Sequence, residues 1–208
     1  MSYPYPTREV VADGVVHALG LSAGTAGALA LVHQAAQTAH VQNIAAIAVY
    51  AGFLLFALAA SAAYHMLPWE APRPLLHKID HAAIYLKIAG TYTPLVVVIG
   101  SVFAYAVLAC IWLIALGGAI AKLSFWRTDA RGSLALYLAM GWACVLLLPL
   151  MIQKLPATSL WLILGGGLLY TLGTVFYSWR DLPFQNAIWH SFVLAASACF
   201  FVSIALTL

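Results

Sequence analysis

The feature that most constrains this chain is a series of long apolar runs with very few charged residues between them. The runs cover most of the 208 residues, and charged residues make up only 7% of the chain. Soluble domains carry about 25% charged residues, so a water-soluble fold is excluded and the bilayer must be the solvent. A membrane-spanning helix needs about 20 apolar residues, and spans of that length leave no room for a separate soluble domain.

The runs predict an all-α, integral membrane bundle of seven transmembrane helices, formed by a single domain over residues 1–208. Strands of a membrane β-barrel alternate over about ten residues, whereas these runs are longer and do not alternate. Backbone groups in lipid must then be satisfied within helices. We expect the first run to remain as a helix, since it is too long for the apolar core of a signal peptide. The predicted spans are 15–32, 44–67, 79–99, 102–123, 133–152, 159–179 and 187–206.

The placement of lysine and arginine predicts the orientation of the bundle. With seven spans, one side holds the N-terminus and the loops after spans two, four and six, and this side carries all the loop basic residues except Lys154. Cytoplasmic loops carry an excess of Lys and Arg, so we place the N-terminus in the cytoplasm and the C-terminus outside, in a multi-pass protein of the cell inner membrane. The basic residues on the cytoplasmic side are Arg8, Arg73, Lys78, Lys122, Arg127, Arg131 and Arg180.

Polar residues within the spans gather near the predicted cytoplasmic end. Ionisable groups in a membrane span are expensive and mark functional sites. Asp80 opens span three, and three pairs on other spans are spaced i, i+4, which puts both side chains on one helix face. Imidazole and carboxylate groups from neighbouring helices are typical zinc ligands, although any one of these residues alone is better explained as a helix cap or as an interfacial group that meets headgroups and water. The pairs are Asp13–His17, Ser61–His65 and Asn186–His190.

The remaining histidines are assigned to loops or to packing. His33 and His40 are predicted in the first external loop and His77 in a cytoplasmic loop. His81 follows Asp80 directly and faces another side, so it is assigned to packing or to the interface.

Lys87 lies deeper in its span than the other polar residues. It follows Asp80 by seven positions, which is two turns along the same face and about 10 Å deeper. One interpretation is a lysine that faces a watery cavity and extends towards an interface. The other is a salt link back towards Asp80 or a neighbouring acid.

Small residues let helices pack closely in lipid. Gly165, Gly166 and Gly167 in span six, and Gly117 and Gly118 in span four, are predicted to serve that purpose.

Several separated motifs resemble the bacterial haemolysin III-like branch of the progestin and adipoQ receptor family. They are SAAYH at 61–65, KIDHAAIYLKIAGTYTP at 78–94, LAMGW at 138–142 and AIWHSFVLAAS at 187–197, and E-x-x-x-D-x-x-x-H runs from Glu9 to His17. The resemblance covers nearly the whole chain in order. It implies a seven-helix bundle with a cytoplasmic N-terminus, within a superfamily that includes adiponectin receptors and alkaline ceramidases.

The resemblance also implies a zinc site. The superfamily pattern is S-x-x-x-H in span two, Asp in span three and H-x-x-x-H in span seven, where three histidines hold zinc and the Asp orients its water. Carried over, His65 and His190 would be ligands. Asp80 would be the general base or water anchor, and Ser61 would orient a ligand or stabilise an oxyanion. The implied chemistry is attack of activated water on an amide.

Asn186 departs from this pattern, because it stands where the family has the first histidine of the span-seven motif, and Phe200 stands where relatives commonly carry a histidine. Asparagine is a poor zinc ligand. Three alternatives stay open: the third ligand comes from Asp80, Asp13 or His17; another metal is preferred; or the polar cluster holds no metal. With zinc as the expected ion, the predicted metal positions are His65, His190, Asp80 and Asn186.

Three functions follow as hypotheses. The first is a metal-dependent hydrolase acting on a lipid amide or related acyl substrate from the bilayer. The second is a non-enzymatic role in ion homeostasis, membrane energetics or lipid sensing. The outer half of the spans, however, lacks the continuous series of acidic residues that a transporter would usually need. The third, a pore-forming cytolysin, is disfavoured because a secreted toxin needs a soluble form.

The expected partners are membrane lipids, with a lipid substrate in the hydrolase hypothesis. The net charge of +3 is small and gives no indication of nucleic-acid binding. Small-residue faces permit an oligomer without predicting one.

Overall fold

The chain folds into a bundle of long helices. The structure, a computed structural model, describes residues 6–38, 41–125 and 131–208. The regular secondary structure within those ranges is helical. The helices are α1 (Thr7–Thr38), α2 (Val41–Met66), α3 (Arg73–Ile99), α4 (Val102–Ser124), α5 (Arg131–Trp142), a 3-10 segment (Ala143–Leu147), α6 (Leu148–Lys154), α7 (Ala157–Ser178) and α8 (Gln185–Ala205). Within the described residues, seven helical stretches are long and apolar enough to cross a membrane. The predicted all-α fold of seven spans is therefore confirmed.

Two spans begin earlier than their apolar runs. Helix α1 begins at Thr7 rather than at residue 15, and the carbonyl of Pro6 accepts the first N–H groups of its opening turn. Helix α3 begins at Arg73 rather than at residue 79, directly after Pro72. Proline suits a helix start because the first N–H groups have no partner there. The polar residues near the start of each of these two spans therefore lie within helices.

The observed helix bounds correct the assignment of two histidines to loops, because α3 begins before His77 and α1 continues past His33 to Thr38. His77 lies on α3, where its ring stacks on Tyr64 with centroids 4.6 Å apart. His33 lies on α1, and its Nε2 accepts a hydrogen bond of 3.0 Å from the amide of Gln37. His40 is outside the described residues.

Helices α3 and α4 are antiparallel neighbours joined by a tight turn. Gly100 ends α3 with φ 66°, a left-handed conformation that glycine adopts without steric cost, and its N–H donates to Val96. Ser101 then caps α4, since its hydroxyl accepts a 3.1 Å hydrogen bond from the N–H of Ala104.

The fifth span is not one continuous α-helix. A 3-10 segment separates α5 from α6, and Pro149 lies in the first turn of α6. Proline has no N–H and its ring crowds the preceding turn, so the backbone hydrogen bonds of α5 cannot continue through Pro149. The hydroxyl of Tyr92 on α3 donates to the carbonyls of Met140 and Gly141, at 2.7 and 3.0 Å, just before this break.

The order of packing brings the first and last spans together. Helix α1 packs on both α2 and α8, α3 packs between α2 and α4, and α7 packs on α8. The start of α1, the end of α2 and the starts of α3 and α8 meet at one end of the bundle, which is the end that holds the polar residues of the predicted site.

Two of the predicted packing glycines lie at close helix contacts. A Cβ on Gly166 would come within 2.7 Å of a phenylalanine ring of α8, and a Cβ on Gly118 within 2.7 Å of Tyr85 on α3. Their neighbours Gly165 and Gly117 have nothing within 4 Å of that position. Close packing therefore falls on one glycine of each group.

Candidate metal centre

Asp13 lies at the centre of the polar cluster. Its carboxylate contacts the Nδ1 atoms of three histidines from three helices: His190 at 2.6 Å, His17 at 3.4 Å and His65 at 3.5 Å. Asp13 is 3% exposed, His17 and His190 are each 8% exposed, and His65 is partly buried. A carboxylate buried among imidazoles is paired as a buried charge must be.

Hydrogen bonds orient two of the three imidazole rings. The ring N–H at Nδ1 of His17 donates to the backbone carbonyl of Asp13 at 2.9 Å, one helical turn before it. The Nδ1 of His190 donates to the Asp13 carboxylate. In the neutral form of either ring, the lone pair is then on Nε2.

Ser61 lies on the Nε2 side of the same rings. Its hydroxyl oxygen is 3.3 Å from Nε2 of His17 and 3.4 Å from Nε2 of His190. The single hydroxyl proton can serve only one of these nitrogens at a time. Ser61 therefore joins α1 and α8 through the end of α2.

His65 connects the two carboxylates of the cluster. Its Nδ1 faces Asp13, and its Nε2 lies 4.0 Å from Oδ2 of Asp80 on α3. Its ring also packs edge-on against that of His190, with centroids 4.5 Å apart. Ser61, His65, Asp80 and His190, from the predicted site, thus lie together at one end of the bundle.

One set of three residues has the spacing of a metal site. Asp13, His65 and His190 each offer a ligand atom, and these atoms all lie within 4.8 Å of one another. Two imidazoles and one carboxylate form a set in which zinc keeps an open fourth position. A buried group that could bind a metal ion is therefore present, with Asp13 in the place of a third histidine.

Asn186 lines a cavity beside this set and is not part of the set itself. The cavity has a volume of about 80 Å³, which is room for several water molecules and too little for a lipid chain. It adjoins the cluster through Asp13 and His65. The other lining residues are Glu9, Val10, Tyr64, Met66, Arg73, Phe184, Asn186 and Ala187.

Sequence spacing singled out Asp13 and His17 as a pair but did not assign the central position to either. The i, i+4 pattern put both on one face of α1. Only the packing of α1 between α2 and α8 brings that face to the histidines of the other helices.

Lys87 does not form the predicted salt link to Asp80. Its ammonium donates a 2.7 Å hydrogen bond to the hydroxyl of Ser197 on α8, and it lies 5.3 Å from the ring centroid of Tyr170 on α7. His81 is buried, as the packing assignment expected, and its carbonyl accepts a hydrogen bond from Tyr137.

Comparison with known proteins identifies the family. The family model described as haemolysin-III related matches residues 6–201. The chain belongs to the haemolysin-III related family. The hemolysin-3 homolog of Bacillus subtilis (strain 168) is 32% identical over 198 residues, which are 95% of this chain and 93% of that protein. Hemolysin-3 of Bacillus cereus is 33% identical over 195 residues, 93% of this chain and 89% of the relative.

A more distant relative connects the haemolysin-III family to animal proteins. The human monocyte to macrophage differentiation factor is 31% identical over 157 residues, 69% of this chain and 62% of that protein. It is a member of the progestin and adipoQ receptor family. The resemblance drawn from the motifs is therefore confirmed.

Proposed function

We propose that this haemolysin-III related protein is a metal-dependent membrane hydrolase that cleaves an amide or related acyl bond of a lipid. The observation that carries the proposal is the set formed by Asp13, His65 and His190, whose ligand atoms lie within 4.8 Å of one another. A further carboxylate, that of Asp80, lies 4.0 Å from His65.

The donor chemistry suits zinc. Two imidazole nitrogens and a carboxylate oxygen match the ligands of hydrolytic zinc sites, and Asp13 compensates for the histidine that Asn186 replaces. A zinc ion held there supplies Lewis-acid activation of an acyl group and of water.

Asp80 is the residue that we assign to proton transfer. General base catalysis needs a carboxylate or imidazole within hydrogen-bond reach of the reacting water. The Asp80 side chain is only 14% exposed and is beside the ligand His65 without contacting Asp13. Ser61, between the Nε2 atoms of His17 and His190, orients the ligand rings or stabilises a developing oxyanion.

The two reactants would arrive by different routes. The cavity of about 80 Å³ beside Asp13 is lined by Glu9, Arg73 and Asn186, and polar walls of this kind hold water. A lipid substrate would reach the cluster from the bilayer, since this cavity is too small for an acyl chain.

The experiment is elemental mass spectrometry of the protein purified in mild detergent without added metal or chelator. We expect about one zinc per chain, lost in His65→Ala and His190→Ala. His33→Ala is the matched control, because His33 is an exposed histidine on α1 away from the cluster. Hydrolysis of a lipid-amide panel by the zinc-loaded protein, abolished in Asp80→Asn, then tests the reaction. Native protein without metal would exclude the hydrolase proposal.

A second function is favoured by one observation. The 2.6 Å hydrogen bond between Asp13 and His190 pairs two of the three ligand groups with each other, which is how a cluster without metal satisfies its polar atoms. A non-enzymatic role in lipid sensing or membrane homeostasis would then apply. Zinc absent from the native chain but acquired by Asn186→His would support this alternative.

A further inference from the structure

Glu9 and Asp13 follow one face of α1 from the end of the helix towards the polar cluster. Glu9 lies in the first turn of α1 (Thr7–Thr38), and Asp13 lies one turn further along. Residues four apart share a helix face, and one turn spans about 5.4 Å. Glu9 is partly exposed, whereas Asp13 is 3% exposed. The two carboxylates therefore lead from the exposed end of the helix into the buried cluster.

The cavity beside the cluster joins these two carboxylates. Its walls come from the start of α1, the end of α2 and the starts of α3 and α8, so it lies at the polar end of the bundle. Asp13 and His65 line it, and His190 does not. Two of the three residues of the candidate ligand set therefore border the cavity, and an ion that comes through it reaches them before His190.

The carboxylate of Glu9 has no protein partner within residues 6–38, 41–125 and 131–208. The ion pairs of those ranges join Asp13 and Asp80 to histidines, and the side chain of Glu9 makes no hydrogen bond there. Carboxylate oxygens are among the ligands of zinc. Glu9 can therefore meet a cation without first giving up another contact in the described part of the chain.

The positive charge that lines the same cavity is held against α2. The guanidinium of Arg73 donates to the carbonyl of Leu67 at 3.3 Å and lies 5.8 Å from the ring of Tyr64. The cavity, at about 80 Å³, has room for several water molecules, so an ion passes through it with only part of its hydration shell. An oxygen ligand on the α1 wall replaces some of the water that the ion loses.

We propose that Glu9 captures the metal ion at the outer end of this cavity and passes it to Asp13 and His65, so that the cavity is the loading route of the metal centre. The inference rests on the metal site of the proposed function, but it does not require that the site be hydrolytic. Glu9 is not a member of the ligand set. Its carboxylate therefore lowers the barrier to entry and the barrier to exit alike.

This role differs measurably from that of a ligand. A negative charge at the mouth of a cleft raises the local concentration of cations and their association rate. Because the same path serves both directions, removal of that charge should slow loading and release together and leave the dissociation constant nearly unchanged. Loss of a ligand, or a distortion of the cluster, would change the dissociation constant instead.

The test is stopped-flow measurement of zinc exchange by the full chain in mild detergent at low ionic strength. Zinc-loaded protein mixed with excess chelator gives the release rate, and the stripped chain mixed with zinc and an indicator dye gives the loading rate. We expect Glu9→Gln to slow both rates about five- to tenfold and to leave the dissociation constant within about threefold of the native value. Glu9→Asp keeps the charge and should load nearly as fast as the native chain.

Glu70→Gln is the matched control. Glu70 is an exposed acid after α2, at the same end of the bundle, but it does not line the cavity. Both substitutions change the net charge equally, so a difference between them reports the position of Glu9. The slowing in Glu9→Gln should also shrink as salt is added, because the Debye length falls to about 3 Å at 1 M.

The outcomes separate this inference from the proposed function. Loading of Glu9→Gln as fast as that of Glu70→Gln would overturn the loading route. A weaker dissociation constant with an unchanged loading rate would make Glu9 a ligand and would also refute the route. A native chain that exchanges zinc as expected but cleaves no lipid amide would exclude the hydrolase and leave the route standing, whereas a chain that takes up no zinc would refute both.

Discussion

The carboxylate of Asp13 faces three imidazoles that come from α1, α2 and α8. Charged groups buried in a bundle depend on such partners, because neither lipid nor protein interior solvates them. His17 is set by helix geometry, since it is one turn from Asp13 and donates to its backbone carbonyl. His65 and His190 reach Asp13 only across helix boundaries. The site is therefore organised around one carboxylate that three histidines share.

We predict that Asp13→Asn weakens zinc binding by about a hundredfold or more, since loss of a partner of a ligand already costs about ten- to a hundredfold. The amide keeps the size of the side chain but loses its charge. The dissociation constant is measured by competition with a chelating dye. Asp181→Asn, at an exposed acid in the loop before α8, is the control. Unchanged affinity in Asp13→Asn would exclude Asp13 from the metal centre.

At the scale of the elements, small residues decide how closely the helices approach. Gly166 on α7 meets a ring and the carbonyl of Ala196 on α8, at 2.7 and 3.3 Å from an added Cβ, whereas the adjacent Gly165 faces open space. Sequence predicted glycine packing for the whole Gly165–Gly167 group. It could not assign the contact to one residue, because the rotation of a helix about its own axis is set by its neighbours.

Gly166→Ala should therefore lower stability by about 1–3 kcal/mol, the usual cost of overpacking. Gly165→Ala should be neutral or stabilise by up to about 1 kcal/mol, since alanine is the better helix former. Thermal unfolding in detergent, followed by circular dichroism, compares the two. Equal melting temperatures would contradict the close contact between α7 and α8.

At the scale of the whole molecule, all the polar cluster residues lie at one end of the bundle. Arg8 and Arg73 are at this same end, where the guanidinium of Arg8 lies 5.7 Å from the Phe184 ring and that of Arg73 lies 5.8 Å from the Tyr64 ring. The bias of basic residues predicts that this end is cytoplasmic. The single-domain organisation over residues 1–208 and the inner-membrane location also stay predictions.

The orientation is tested by reporter fusions in a bacterial host. A fluorescent protein that folds only in the cytoplasm should be active at the N-terminus, and alkaline phosphatase, which is active only outside, should be active at the C-terminus. The reverse pattern would put the polar cluster of Asp13 and its histidines on the outer side and exclude a cytoplasmic supply of water to it.

The sequence by itself determined the number of spans and their helical character, because backbone groups in lipid have no partner except within helices. It also determined which residues share a helix face, as with Ser61 and His65, since that depends only on 3.6 residues per turn. Tertiary structure decided the rest. Whether Lys87 meets Asp80 or Ser197, and whether Asp13 or Asn186 joins His65 and His190, depends on the rotation and order of packed helices. Helix rotation and packing order are set by many weak contacts between segments distant in the chain. The spacing of residues along one helix carries no information about those contacts.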